Sequence, residues 1–203
     1  MTTNPQQASP RTGERMTVQE YFALDYTAPD ARYEYQDGKV RLMAGGSGEH
    51  DEIAYNTRVA LNQQFQTGPC FVRGSDMRVL VAEDTYFFPD VTVSCDVADR
   101  RRGNTLIRSA RTVVEVLSPS TEKIDRTDKL KTYQAWSSIQ EIVLVSQFSP
   151  HVEVYRRNEE EGSSWSQQMY GPGEEMMLES LDICISLDEI YQGIDFDEPL
   201  MGE

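Results

Sequence analysis

Thr112-Val113-Val114-Glu115-Val116-Leu117-Ser118-Pro119 is a β-branched, apolar run with one carboxylate at its centre. It reads as a buried strand over residues 111–118, because branched side chains pack well on a pleated surface, and Ser118-Pro119 stops it. Buried and unpaired, Glu115 would cost roughly several kcal/mol. Either its face of the strand opens to solvent or a positive group holds it, and an arginine such as Arg78 or Arg111, or a metal ion, would serve. A helix is expected from just after Ser120 or Thr121 to about Trp136. Four- and three-residue steps bring Asp125, Lys129, Tyr133 and Trp136 near one face of it, whereas Lys131 points elsewhere.

Upstream, Tyr86-Phe87-Phe88-Pro89-Asp90-Val91 carries a second carboxylate. Pro89 fixes the backbone and removes a ladder donor, so Asp90 is expected at a strand start or a bulge, aimed out of the sheet. Asp90 and Glu115 on neighbouring strands would supply hard oxygen ligands for Mg²⁺ or Mn²⁺, ions that keep several waters and bind substrate phosphates.

Thr17-Val18-Gln19-Glu20 has the form of a capping box and opens a short helix through Leu24. Asp37-Gly38, between two strand-like segments at 32–36 and 39–43, is the strongest hairpin signal, since glycine accepts the positive φ such a turn needs. Apolar residues from Ile53 to Phe65 recur at three- and four-residue spacing, predicting an amphipathic helix over 49–65. Residues 70–82 and 86–95 read as two strands joined by Glu83-Asp84, and 141–146 and 152–156 as a hairpin. Residues 164–170 and 175–178 are weaker strands, and 187–191 a short terminal helix. His50 begins a helix with Asp51 and Glu52; adjacent helical positions diverge, so a hydrogen bond at the helix start is expected rather than a ligand cluster. Strands outnumber helices, which indicates an α/β or α+β fold with a central mixed sheet and helices on its faces.

The 203 residues suffice for one core, and the expected division is a disordered arm over 1–14, a single domain over 15–195 and a tail over 196–203. No apolar stretch reaches membrane-span length and no signal-peptide core is present, so a cytoplasmic protein is expected. Cys70, Cys95 and Cys184, odd in number and set in apolar surroundings, are expected as reduced core thiols. The formal net charge of −15 would repel a polyanion at long range, so any nucleic-acid role must rest on a local site. Residues 99–131 hold nine of the 19 basic residues against five acidic ones, so the least acidic segment coincides with the suspected site. Arg100, Arg101 and Arg102 within it read as solvated loop charges.

Together Tyr33-Glu34 with Asp37-Gly38, His50, Asp76-Met77-Arg78, Phe88-Pro89-Asp90-Val91, Glu115-Val116-Leu117-Ser118-Pro119-Ser120-Thr121, and Asp125-Arg126 with Lys129 and Tyr133 resemble the Uma-type endonuclease family, of the PD-(D/E)XK restriction-endonuclease-like superfamily. The resemblance runs from about Thr17 to Ile194. It implies a restriction-endonuclease-like central mixed β-sheet flanked by helices, with additional antiparallel hairpins. It also implies that Asp90 and Glu115 are the metal-binding acids, with the main-chain carbonyl of Val116 as a third ligand and Glu34 as an acid near the site. The superfamily's lysine, two residues after the second acid, is replaced here by Leu117, and the resemblance transfers its role to Lys129. The expected function is metal-dependent hydrolysis of DNA phosphodiester bonds by a homodimer. The alternatives are a catalytically weak or inactive nuclease-fold protein acting as a binding or assembly module, and an interaction protein without a nucleic-acid role.

Overall fold

A computed structural model describes residues 15–27, 31–43, 45–158 and 164–197. The arm expected over 1–14 and residues 198–203 of the expected tail lie outside them. Helix α1 (Val18–Thr27) begins at the expected capping box: Glu20 accepts hydrogen bonds from the Thr17 main-chain N–H and hydroxyl, and Thr17 Oγ1 accepts one from the Glu20 N–H. Strands β1 (Tyr33–Gln36) and β2 (Lys39–Leu42) join through Asp37 and Gly38, both at positive φ, 52° and 77°. These signs belong to the turn whose twist matches that of the strands. Helix α2 (Gly48–Gln64) is capped by Ser47, whose Oγ accepts from the His50 N–H, and buries Ile53, Thr57, Ala60 and Leu61.

The next region departs from expectation. Instead of two continuous strands there are four: β3 (Phe71–Gly74), β4 (Arg78–Ala82), β5 (Thr85–Phe87) and β6 (Val91–Ser94). The inner pair, β4 and β5, turns at Glu83-Asp84 as expected, whereas the outer pair, β3 and β6, joins a different sheet. Pro89 explains one break, since it cannot donate to a ladder and the chain leaves the first sheet at Phe88.

Strand β7 (Leu106–Ile107) is short and was not legible in the sequence, and β8 (Ala110–Leu117) is the long apolar strand. The expected single helix after it is three pieces: α3 (Glu122–Ile124), a π-turn (Asp125–Lys129) and α4 (Leu130–Ala135). Strands β9 (Glu141–Ser146) and β10 (Val152–Asn158) form the expected hairpin, continued by β11 (Ser164–Tyr170). A small ladder of β12 (Glu175–Leu178) and β13 (Ile183–Ser186) precedes α5 (Leu187–Ile190).

One sheet runs β2-β1-β5-β4-β7 and the other β11-β10-β9-β8-β6-β3. Both are mixed: β4 with β7 and β8 with β9 are parallel, and the other pairs are antiparallel. The fold is thus α+β, with mixed sheets flanked by a few helices, as expected. Alternation along β8 sends its side chains into two cores. Val114 and Val116 pack with Ile53, Ala60 and Leu61 of α2, whereas Val113 and Leu117 pack with Phe87 and Tyr133. Glu115 falls between Val113 and Leu117 on the second side.

The cysteines correct the sequence reading. Cys70 and Cys95 form a disulfide, and Cys184 is exposed rather than in the core. The reason is register: β3 pairs with β6 through Phe71 and Ser94, so the residues just beyond that pair stand opposite each other. Among the described residues no helix is long and apolar enough to cross a membrane.

Candidate active site

Strand register places the two acids together. Val91 pairs with Val114 across β6 and β8, so Asp90, left outside the ladder by Pro89, lies beside the C-terminal half of β8. There its Oδ2 accepts the Val116 N–H at 2.7 Å. The residue expected to lend a carbonyl to the site therefore also anchors the first acid through its amide. Asp90 and Glu115 occupy neighbouring strands, as their apolar contexts implied.

Glu115 is 4% exposed and is held by a positive group, which is neither arginine. Lys129 Nζ lies 2.6 Å from Glu115 Oε1, 3.2 Å from Glu34 Oε1 and 3.4 Å from Asp125 Oδ1. The Tyr133 hydroxyl donates to the same Glu115 oxygen. Arg78 is engaged elsewhere, donating through Nε to the Tyr21 hydroxyl at 2.9 Å. The helical face inferred from spacing is real for Asp125, Lys129 and Tyr133. Trp136 is not part of it: the chain is already extended there, and its ring packs in the apolar core. Lys131 is exposed, on the wall of a cleft of about 550 Å³ between the β1–β2 hairpin and the helix.

Glu34 enters from β1, 4% exposed, paired with Arg41 of β2 on one oxygen and with Lys129 on the other. Cross-strand register makes this possible, since Glu34 and Arg41 are directly opposed. Four carboxylates, Glu34, Asp90, Glu115 and Asp125, thus gather around two permanent cations, Lys129 and Arg41. If all ionise, the cluster carries two negative charges in excess.

The titration shifts follow from this crowding. Burial, with Asp125, Asp90 and Glu34 nearby, pushes the Glu115 carboxyl well above its ordinary value; Lys129 works the other way and does not prevail. Burial opposes the Lys129 ammonium too, but Glu115, Glu34 and Asp125 together raise it above the usual lysine range. Burial also opposes ionisation of Glu34, yet Lys129 and Arg41 outweigh it and hold that carboxyl below its ordinary value. The Tyr133 hydroxyl is pushed well up, first by burial and then by Glu115, so it stays a donor.

His50 makes the expected hydrogen bond at the helix start and one contact more that the sequence reading did not foresee. Its main-chain N–H does take part in the helix cap, but its imidazole Nε2 lies 3.3 Å from Asp90 Oδ2. Burial disfavours the imidazolium, whereas the Asp90 carboxylate and the Val116 carbonyl facing the ring raise it above its ordinary value. Besides its place among the residues that carry the resemblance, the sequence signal for this was helical phase: His50 sits three residues before the buried Ile53, on the sheet side of α2.

Leu117 occupies the same side of β8 as Glu115, is 1% exposed, and packs in the core that includes Phe87 and Tyr133. A lysine there would have to leave that core to reach solvent. Lys129 instead descends on Glu115 from the helix above, its Nζ 5.4 Å from the Phe87 ring centroid.

The fold has a counterpart among solved structures. A structure described as "a putative nuclease belonging to DUF820", from Anabaena variabilis, superposes with a TM-score of 0.64 at 17% identity, covering 80% of this chain and 90% of that one. The chain belongs to the Uma2 family, described as "Putative restriction endonuclease", whose model matches residues 18–188. Two proteins of a Synechocystis strain are similar to it. Uncharacterized protein slr1290 is 33% identical over 183 residues, 90% of this chain and 94% of that protein. Uncharacterized protein sll1609 is 28% identical over 148 residues, 72% and 83% of the two chains.

Proposed function

We propose that this protein is a metal-dependent endonuclease that hydrolyses DNA phosphodiester bonds, with Asp90, Glu115 and the main-chain carbonyl of Val116 holding Mg²⁺ or Mn²⁺. The observation that carries this reading is the buried Lys129 ammonium, 2.6 Å from Glu115 and ringed by two further carboxylates. The donor chemistry fits the ion. Carboxylate and carbonyl oxygens are the ligands such hard cations prefer, and two or three of them suffice because the ion keeps its waters. With all four carboxylates ionised and His50 neutral, the excess of two negative charges is what one divalent cation would neutralise. Among the described residues no three acidic, histidine or cysteine side chains are arranged to hold a metal. The Val116 carbonyl faces His50, and its second lone pair leaves room for another partner.

When bound, the ion would polarise the scissile phosphate and lower the pKa of a water at the site. The chain's own residues do the rest. Tyr133 and Lys129 fix the orientation of Glu115 by meeting on one oxygen. The Val116 N–H and His50 fix Asp90 in the same way. Three carboxylates occupy the three Lys129 donors. To orient the attacking water and balance charge as it develops on phosphate, the ammonium must release one, and Asp125, the farthest, is the natural choice. Glu34 keeps the ammonium charged. Cutting both strands at one locus would call for paired subunits, hence a homodimer.

Saturation of Lys129 by carboxylates, the buried Leu117 and the net charge of −15 favour the second reading, a nuclease-fold protein that binds without cutting. One experiment separates them. Plasmid and single-stranded DNA are incubated with Mg²⁺ or Mn²⁺ and the wild type, Asp90→Ala, Glu115→Ala or Lys129→Ala, at low and moderate salt. Cleavage by the wild type alone is expected. Equal cleavage by all four proteins would trace the activity to a contaminant. No cleavage, with no metal binding by calorimetry, would leave the binding module.

A further inference from the structure

Strand β3 is an open edge of the six-stranded sheet, and three arginines wrap it from both sides. Arg73 lies on the strand itself, its Cζ 4.6 Å from the Phe71 ring centroid. Arg100, from the loop after β6, reaches the same ring at 5.9 Å and donates to the Gly68 carbonyl at 3.5 Å. Arg58 comes from α2 on the opposite side and lies against Gly74, where a Cβ would fall 2.7 Å from its Nη1. Glycine at 74 is what lets that guanidinium rest on the strand.

Among the described residues none of the three forms an ion pair with a carboxylate, although the chain has 34 acidic residues and 19 basic ones. Burial, and after it the nearby Arg100 and Arg58, lower the pKa of Arg73. Like charges gathered at an exposed edge and left without a counter-charge in an acidic protein suit an external anion. Position identifies which one. Gly74 pairs with Val91, the residue after Asp90, so the end of β3 on which Arg58 rests lies one strand spacing, about 5 Å, from the strand that begins beside Asp90. The helix that carries Arg58 also carries His50, which contacts Asp90.

We propose that Arg58, Arg73 and Arg100 form a binding track for the DNA backbone, seating the phosphates next to the one cut at Asp90 and Glu115. The proposal rests on the nuclease reading for the direction of the strand, but its test does not need cleavage. Binding of a fluorescein-labelled duplex is followed by anisotropy in EDTA, across a salt series, for the wild type, the triple variant Arg58→Gln/Arg73→Gln/Arg100→Gln and the triple Arg→Lys variant. Circular dichroism and urea unfolding check that each is folded. The glutamine variant is expected to bind roughly 10- to 100-fold more weakly at about 0.1 M salt, with a log-affinity against log-salt slope shallower by roughly 2 to 3, as for three lost phosphate contacts. The lysine variant should keep most of that slope, because an ammonium still supplies the point charge. A folded glutamine variant that binds like the wild type would overturn the track even if the protein cuts DNA, and wild-type cleavage with no loss in this variant would do the same. Inorganic polyphosphate bound as tightly as DNA through the same arginines would reassign the surface and also overturn it. DNA binding lost in the glutamine variant of a protein that never cuts would support the track and reject the nuclease reading.

Discussion

Cationic side chains gather at two places on the six-stranded sheet, and the two are built in opposite ways. At the C-terminal half of β8, Lys129 is 4% exposed and touches three carboxylates. At the β3 edge, Arg58, Arg73 and Arg100 are more accessible, stack on a ring or a glycine, and form no ion pair with a carboxylate among the described residues. A buried ammonium must be paired, because desolvating an isolated charge costs more than the fold can supply. An exposed guanidinium has water in place of a partner and can exchange it for a ligand. The first place therefore fixes geometry, and the second keeps charge in reserve.

The largest test of the contrast is Lys129→Met. It strands Glu115, Glu34 and Asp125 without their shared cation, so unfolding stability should fall by about 3–5 kcal/mol in urea titrations. Cleavage should fall by roughly 100-fold or more, read on plasmid DNA. Pairing it with Glu115→Gln in a double-mutant cycle should recover part of the stability, since the charge left behind is then smaller. Full additivity would mean that the pair is not coupled.

Tyr133→Phe is expected to act more mildly. It removes one buried donor to a carboxylate, about 1.5–3 kcal/mol of stability, and loosens Glu115 without removing it. Cleavage should drop roughly tenfold, equivalent to about 1.4 kcal/mol, with the metal dependence of the rate displaced. A phenylalanine variant with unchanged rate and metal dependence would show that Lys129 alone orients Glu115.

Glu34 adds a pH test with a definite sign. Its folded-state pKa is depressed below the ordinary 4.5, so its contribution to stability is present above that value and is lost as pH falls through the folded-state value. Glu34→Gln should therefore lower the urea midpoint near pH 7 and leave a shallower decline below about pH 4.5. The smallest effect on stability is expected at the edge: Arg58→Gln should stay within about 0.5 kcal/mol of wild type while weakening DNA binding several-fold. An Arg58→Gln variant that lost several kcal/mol would erase the distinction between the two places.

The sequence disclosed those parts of the molecule that depend on short-range patterns. Asp37-Gly38, the α2 periodicity, the capping box and the β8 run each carry their own physics, and each forms as expected. The juxtaposition of Asp90, Glu115 and Lys129 was legible through the family resemblance and the helical spacing that agreed with it. What stayed hidden depends on long-range register. The division of residues 70–95 between two sheets follows from where partner strands lie, and so does the Cys70–Cys95 bridge. His50 makes the helix-start bond expected of it, but its contact with Asp90 stayed hidden because adjacency in sequence says nothing about a residue forty positions away. Strand β7, two residues long, is too short to announce itself by composition.

The π-turn at Asp125–Lys129 has one further consequence. In an unbroken α-helix, two successive four-residue steps drift by about 80° around the axis, which would part Asp125 from Tyr133. The turn closes instead with the Leu130 N–H reaching back to the Asp125 carbonyl, the mark of one added residue. The wider turn absorbs that residue, so the eight steps from Asp125 to Tyr133 span about the two turns that seven steps span in an α-helix, and the two side chains come back into phase. Lengthening the segment by one further residue would turn everything after it by about 100° and part the tyrosine from Glu115.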